Sequence, residues 1–203
     1  MHEFKDKLMR KAEEMLESGF PPKMAKIEEF LNKNNIMNDV QFIYKSDDGA
    51  YASGFLKCNA QIVELINEVK PIVRGLIEDA NLLKVWIKLQ IPKIDGGSDF
   101  GISIQAEALS EIRSIESDAC SMNDRFARYF SARANIVIKI MDFPEVEDFK
   151  HELEELDKKE LIGLWLMMSE ARNHYCLLHD IISKNIEKLK KPRRSSLAKK
   201  MFH

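Results

Sequence analysis

The chain is short of the two residues that interrupt helices. Its 203 residues include 8 Gly and 6 Pro, about 7% of the chain, against roughly 12% in average usage. These breakers are also clustered: Gly19 with Pro21 and Pro22, Gly49 with Gly54, and Pro92 with Gly96, Gly97 and Gly101. Residues 102–143 contain neither type, and residues 145–191 contain only Gly163. A β-sandwich or barrel needs a turn about every 8–12 residues, so an all-β fold is excluded. An α/β chain needs a loop between every strand and helix, which the same scarcity disfavours. A few long helices remain.

Other absences narrow the function. The 3 cysteines, Cys58, Cys120 and Cys176, are odd in number and unrelated in spacing, which suits a reducing compartment better than a disulfide framework. The longest apolar run, Leu161 to Met168, is eight residues, far short of a membrane span. Residues Met1 to Lys7 carry no apolar core, so no secretion signal is expected. A di-metal carboxylate bundle needs Glu-x-x-His on two helices. The chain offers only Asp148-x-x-His151, and Cys176-x-x-His179 is likewise a lone pair. Neither the phosphate-loop nor the dinucleotide glycine pattern occurs, and Gly96-Gly97-Ser98 lacks the following Lys. No catalytic residue, metal or cofactor is therefore expected.

What is present is helical periodicity. Phe4, Leu8, Ala12 and Met15 mark a first helix, which Gly19 and Pro21-Pro22 should break or kink. It resumes to Lys33, so residues 1–33 form one kinked element. Residues 34–58 read as a variable linker. Asn59 is a plausible N-cap for a second helix over 59–91, with Leu76, Ala80, Leu83 and Ile87 in phase and Pro71 inside it. Further helices span 102–143 and 146–190, roughly 55–70 Å each at 1.5 Å per residue. Such lengths must pair along their course, as in a bundle of antiparallel helices. The whole chain is one all-α domain. The last helix carries a second apolar line, Trp165, Ile181 and Ile186, which points to self-association because a bundle leaves outer faces exposed.

Two polar segments stand outside the helices. The first is Pro92-Lys93-Ile94-Asp95-Gly96-Gly97-Ser98-Asp99-Phe100-Gly101, longer than an antiparallel helix pair requires. Its glycines allow positive φ, and Asp99 can cap the next helix. The second is the tail 191–203, ending Lys200-Met201-Phe202-His203. An apolar pair beside a chain carboxylate suits capture in a pocket. The net charge of −2 hides an asymmetry: seven Lys or Arg and no acid lie from Lys188 onward, leaving −9 on residues 1–187. A basic tail can serve nucleic-acid binding, a nuclear address or docking on an acidic partner.

At this loop and tail the sequence resembles the 11S (REG/PA28) proteasome activators, most of all their gamma type. The match runs through Phe20-Pro21-Pro22-Lys23, Lys84-Val85-Trp86-Ile87, Ile91-Pro92-Lys93-Ile94, Phe100-Gly101, Ser103-Ile104-Gln105, Arg128-Tyr129-Phe130, Glu170-Ala171-Arg172-Asn173 and Lys184 to Arg193. The resemblance implies a heptameric ring of four-helix bundles with a central pore. It implies an ATP-independent, non-enzymatic activator that docks on the α-subunit ring of the 20S proteasome. The C-terminal tails would insert between α subunits while residues 92–101, the activation loops, open the gate. Homo-heptamer and core particle are thus the expected partners, with neither nucleic acid nor membrane among them. The alternative is a self-associating helical scaffold without gating activity. Nucleus and cytoplasm are both open as compartments, and the basic tail and gamma-type likeness favour the nucleus.

The sequence departs from the family pattern at named positions. Ser98 stands where the loop usually has a gate-contacting Asn, and Gly96 where Asp is usual. A hydroxyl cannot offer an amide's paired groups, which predicts weaker or retuned gate opening. The tail ends Phe202-His203 where an apolar residue then Tyr is common. Asn135, a candidate pore-lining residue, stands where the gamma type has Lys.

Overall fold

The computed structural model describes residues 2–34, 57–93 and 100–192. Among these residues every regular element is helical. They are α1 (His2–Glu14), a π turn (Met15–Gly19), α2 (Phe20–Lys33), α3 (Ala60–Gln90), α4 (Phe100–Asp142) and α5 (Glu147–Lys190). The chain divides into two compact units, one of residues 1–23, 76–118 and 174–203, the other of 24–75 and 119–173. Each is a bundle of four helical segments, and α3, α4 and α5 contribute to both.

In the first unit the core contains Ala12, Phe20, Leu76, Leu83, Trp86, Ile112, Tyr175 and Leu178, all buried. Its cross-helix pairs show antiparallel order. Lys84 bonds Glu116 and Gln105 bonds Gln90, so α4 descends as α3 rises. Glu13 pairs with Lys190, and Phe20 meets His179 edge-on. In the second unit Ile27, Phe30, Ile62, Val69, Phe126, Leu161 and Met168 are buried. There the α4–α5 register is laid out by Lys139–Glu152, Arg133–Asp157 and Arg125–Glu160. A four-residue turn around Pro144 joins these helices, with Val146 N–H donating to Phe143 O at 3.1 Å. Beside it Ile136, Ile140 and Leu153 close a small apolar cluster with Phe149.

Two local features differ from sequence expectation, each for a physical reason. The interruption expected at Gly19 and Pro21-Pro22 takes the form of a π turn, and the helical run continues. A proline ring in an α-helix clashes with the carbonyl four residues back. Widening the turn just upstream makes room for it, and Ser18 Oγ donates to Glu14 O at 3.3 Å. Next, α4 starts at Phe100, so Gly101 lies in its first turn rather than in the loop. Gly163 lies within α5 as expected, and the Arg125 guanidinium occupies the space a Cβ there would need. At the start of α3, Asn59 Oδ1 accepts from Ile62 N–H at 3.2 Å as an N-cap.

Candidate functional site

The ends of α3 and α5 and the start of α4 meet within the first unit. Helix C-termini leave carbonyls without intrahelical donors. Gln105 supplies one to each end. Its Nε2 donates to Leu189 O at 2.9 Å and to Gln90 O at 3.3 Å. Gln105 is fully buried. Lys88, Lys188 and Lys190 lie in the last turns of the same two helices, where cations complement the helix dipole. Lys190 also pairs with Glu13 at 2.9 Å, holding the end of α5 to α1.

Gly101 completes the arrangement. A Cβ there would overlap the backbone of Pro192, including its carbonyl. Glycine is therefore required for close approach, not for a left-handed backbone. The ends of α3 and α5, at Gln90 and Leu189, are thus tied through Gln105, and Pro192 beyond α5 lies against Gly101. Ile94, Asp95, Gly96, Gly97, Ser98 and Asp99 of the loop lie outside the described residues, as do Lys200, Met201, Phe202 and His203 of the tail and most of the 34–58 linker. Asn135 is exposed on α4.

Sequence reasoning missed the bridging role of Gln105, although a signal existed. It sits three, four and seven residues before Ala108, Leu109 and Ile112, all buried. A polar residue in phase with an apolar face asks for a buried partner.

Shifted titration marks structural networks elsewhere. Burial, then the Asp157 charge and hydrogen bond, push the Tyr129 hydroxyl far above its ordinary range. Burial and Asp79 do the same to Tyr175. Burial raises the Glu160 carboxyl against the pull of Arg125. The hydrogen bond that Lys158 Nζ donates to Glu155 raises the Lys158 ammonium. Among the described residues no group of three or more His, Cys, Asp or Glu is placed to hold a metal, and no helix is long and apolar enough to cross a membrane.

The outer faces differ from expectation. Trp165, on the second apolar line of the last helix, turns into its own bundle, its Nε1 donating to Leu31 O at 3.4 Å. Ile181 and Ile186 are half-buried. The large apolar side chains left in solvent are others, among them Phe130, Ile138 and Met141 on α4 and Leu166 and Leu177 on α5.

A helical bundle that holds the ends of α3 and α5 against the start of α4 defines a class of all-α bundle proteins. The comparisons make the class specific. The family described as "Proteasome activator PA28, C-terminal" matches residues 55–199, and "Proteasome activator PA28, N-terminal" matches residues 1–41. The chain belongs to the PA28 proteasome activator family. It is 37% identical over 233 aligned positions to proteasome activator complex subunit 3 of Homo sapiens, covering 95% of this chain and 91% of that protein. The Gallus gallus protein of the same name matches equally. The 11S subunit PA28 of the Plasmodium falciparum proteasome superposes with a TM-score of 0.83 at 28% identity, covering 95% of this chain and 92% of that one. The 11S activator chain from a 1.9 Å proteasome complex shares the fold, with a TM-score of 0.75 at 15% identity, covering 97% and 94%.

Proposed function

We propose that this chain forms a heptameric ring with a central pore and activates a 20S proteasome core particle without ATP. The ring docks on the α-subunit end through its C-terminal tails and opens the gate with its activation loops. Peptides then reach the proteolytic chamber faster, and the ring itself cleaves nothing. The observation that carries this reading is the relationship to proteasome activator complex subunit 3 over nearly the full length of both chains.

Physical features support each part. The exposed Phe130, Ile138 and Met141 lie on one helix, large apolar side chains of the kind that subunit packing covers. Cyclic symmetry suits a partner that is itself a ring. Seven weak tails act together, since one bound tail holds the others at high effective concentration. Residues 92–101, the loop together with the start of α4 at Phe100 and Gly101, act as the activation loop, with Ser98 at the gate-contacting position. Lys200 to His203 act as the docking tail. Asn135 lines the pore, where its neutral amide lets charged peptides pass differently than a Lys would. The seven basic residues from Lys188 onward favour a nuclear address over a cytoplasmic one.

The test is direct. Native mass should be near 165 kDa, about seven protomers of 23.5 kDa. Added to core particle, the ring should accelerate hydrolysis of short fluorogenic peptides. A monomer or dimer that accelerates nothing at any concentration refutes the reading in favour of a plain scaffold. Deleting Met201 to His203 should abolish binding, whereas a bulky residue in place of Ser98 should preserve binding and remove activation.

A further inference from the structure

We infer that Gln105 is a positioning residue that locks the root of the activation loop and the root of the docking tail in one register, so that seating the tail sets the loop. The inference rests on the activator reading above and adds the element that joins its two working parts.

Four observations carry it. Gln105 is fully exposed to the core and not to solvent, at 0% accessibility on an otherwise apolar helix face. A buried amide is unfavourable unless it is bonded. Its bonds go to neither its own helix nor a side chain: Nε2 reaches the carbonyls of Gln90 and Leu189, next to where α3 gives way to the loop and α5 to the tail. One turn upstream, Gly101 lets the Pro192 backbone lie directly on α4. Finally, Gln105 Oε1 is buried and has no partner among the described residues. A half-satisfied amide is a poor choice for stability alone, because buried polar groups are normally paired. Its place in the core is accounted for by the two helix ends it holds.

The mechanical consequence follows. A tail that binds can bias a gate only if its energy differs between loop positions. A rigid joint between the two roots supplies that dependence, and a loose joint lets tails bind while loops sit out of register. Affinity then belongs to the tail, and opening belongs to the joint.

The experiment compares the assembled parent ring with Gln105→Met, which keeps length and removes both hydrogen bonds. Native mass, half-saturating concentration for the core particle and maximal peptide hydrolysis are measured. The expected result is an unchanged ring, affinity close to the parent's, and maximal stimulation reduced about fivefold or more. Gly101→Ala, which displaces Pro192 without touching Gln105, should reproduce the loss. Combining the two should add little, as expected for residues serving one joint. Tyr175→Phe is the control, since it removes a buried hydrogen bond of the same unit away from both roots. It should lower the melting temperature and leave maximal stimulation intact. Full stimulation by both Gln105→Met and Gly101→Ala overturns the inference. So does a parallel loss of affinity and stimulation that Tyr175→Phe matches, which would mark Gln105 as merely structural. A parent ring that stimulates nothing overturns the activator reading itself, and is told apart by needing no variant.

Discussion

Each unit buries one aspartate between a tyrosine and a cation, but the two are sealed differently. In the second unit Asp157 uses both oxygens. Oδ1 accepts from Tyr129 Oη at 2.9 Å and Arg133 Nε at 3.2 Å, while Oδ2 accepts from Asn59 Nδ2 at 3.2 Å. Arg133 also donates to Lys57 O at 3.1 Å. The side chains of Arg133 and Asp157 are 10% and 2% exposed. In the first unit Asp79 gathers Tyr175 Oη, at 2.8 Å, and Lys23 Nζ on the single oxygen Oδ2. Lys23 is 39% exposed there. The first arrangement is a closed polar core that also pins the N-cap of α3. The second is a pair whose cation already reaches water. The lesson is that the same three chemical types serve as a lock in one place and as a buried aspartate with a solvent-reaching cation in the other, the difference being the path to solvent.

Mutation should separate them. Asp157→Ala leaves an arginine buried without its partner, and breaking such a pair costs about 3–5 kcal/mol. Asp79→Ala frees a lysine that can swing outward, so about 1–2 kcal/mol is expected, close to the loss of ordinary hydrogen bonds. Chemical denaturation of the two variants checks this, and equal losses would erase the distinction. Next in size is Gly163→Ala in the second unit. The new methyl displaces the Arg125 guanidinium, which bonds Glu160 at 3.1 Å, so a buried carboxylate loses its cation at a cost of about 2 kcal/mol. An alanine there that is neutral or stabilising, as helix propensity alone would give, would show that Arg125 has another seat.

The tyrosines give a finer contrast. Tyr129→Phe leaves Asp157 with Arg133 and Asn59, whereas Tyr175→Phe leaves Asp79 with Lys23 alone. Each removes one hydrogen bond worth about 1 kcal/mol, and the larger loss is expected at Tyr175 because less remains around its aspartate. Melting temperatures in parallel resolve the order. The reverse order would mean that the closed network is cooperative beyond its individual bonds.

The all-helical class was legible because it depends on pattern. Leu76, Ala80, Leu83 and Ile87 recur every three or four residues, and all four are buried. The joint at Gln105 was not legible, because its acceptors are backbone carbonyls 15 and 84 residues away. A carbonyl has no sequence signature. Gly101 misled for a related reason. Glycine is read first as conformational freedom, yet here it answers to a neighbouring backbone that only the fold brings near. Trp165 shows the limit of stripe width. A broad apolar face predicts burial on two sides without telling whether the second side belongs to the same bundle. Proline pairs likewise predict a break, while one widened turn is enough to carry the helix through.

The smallest expected effect tests how tightly the second unit excludes water around Glu160. Burial raises this carboxyl above its ordinary value, Arg125 and then Lys159 pull it down, and Asp157 adds to the rise. A raised carboxyl means that the folded state binds the proton more tightly than the unfolded chain. Its contribution to stability is therefore complete below the unfolded pKa and falls as pH rises through the folded one. Glu160→Gln removes that titration while keeping an acceptor for Arg125. The melting temperature of the variant relative to the parent should climb as pH is raised from about 4 through the carboxylate range, then level off. A constant offset across that range would mean that Arg125 fully offsets the burial, and that this second ion pair is as well satisfied as the Asp157 lock beside it.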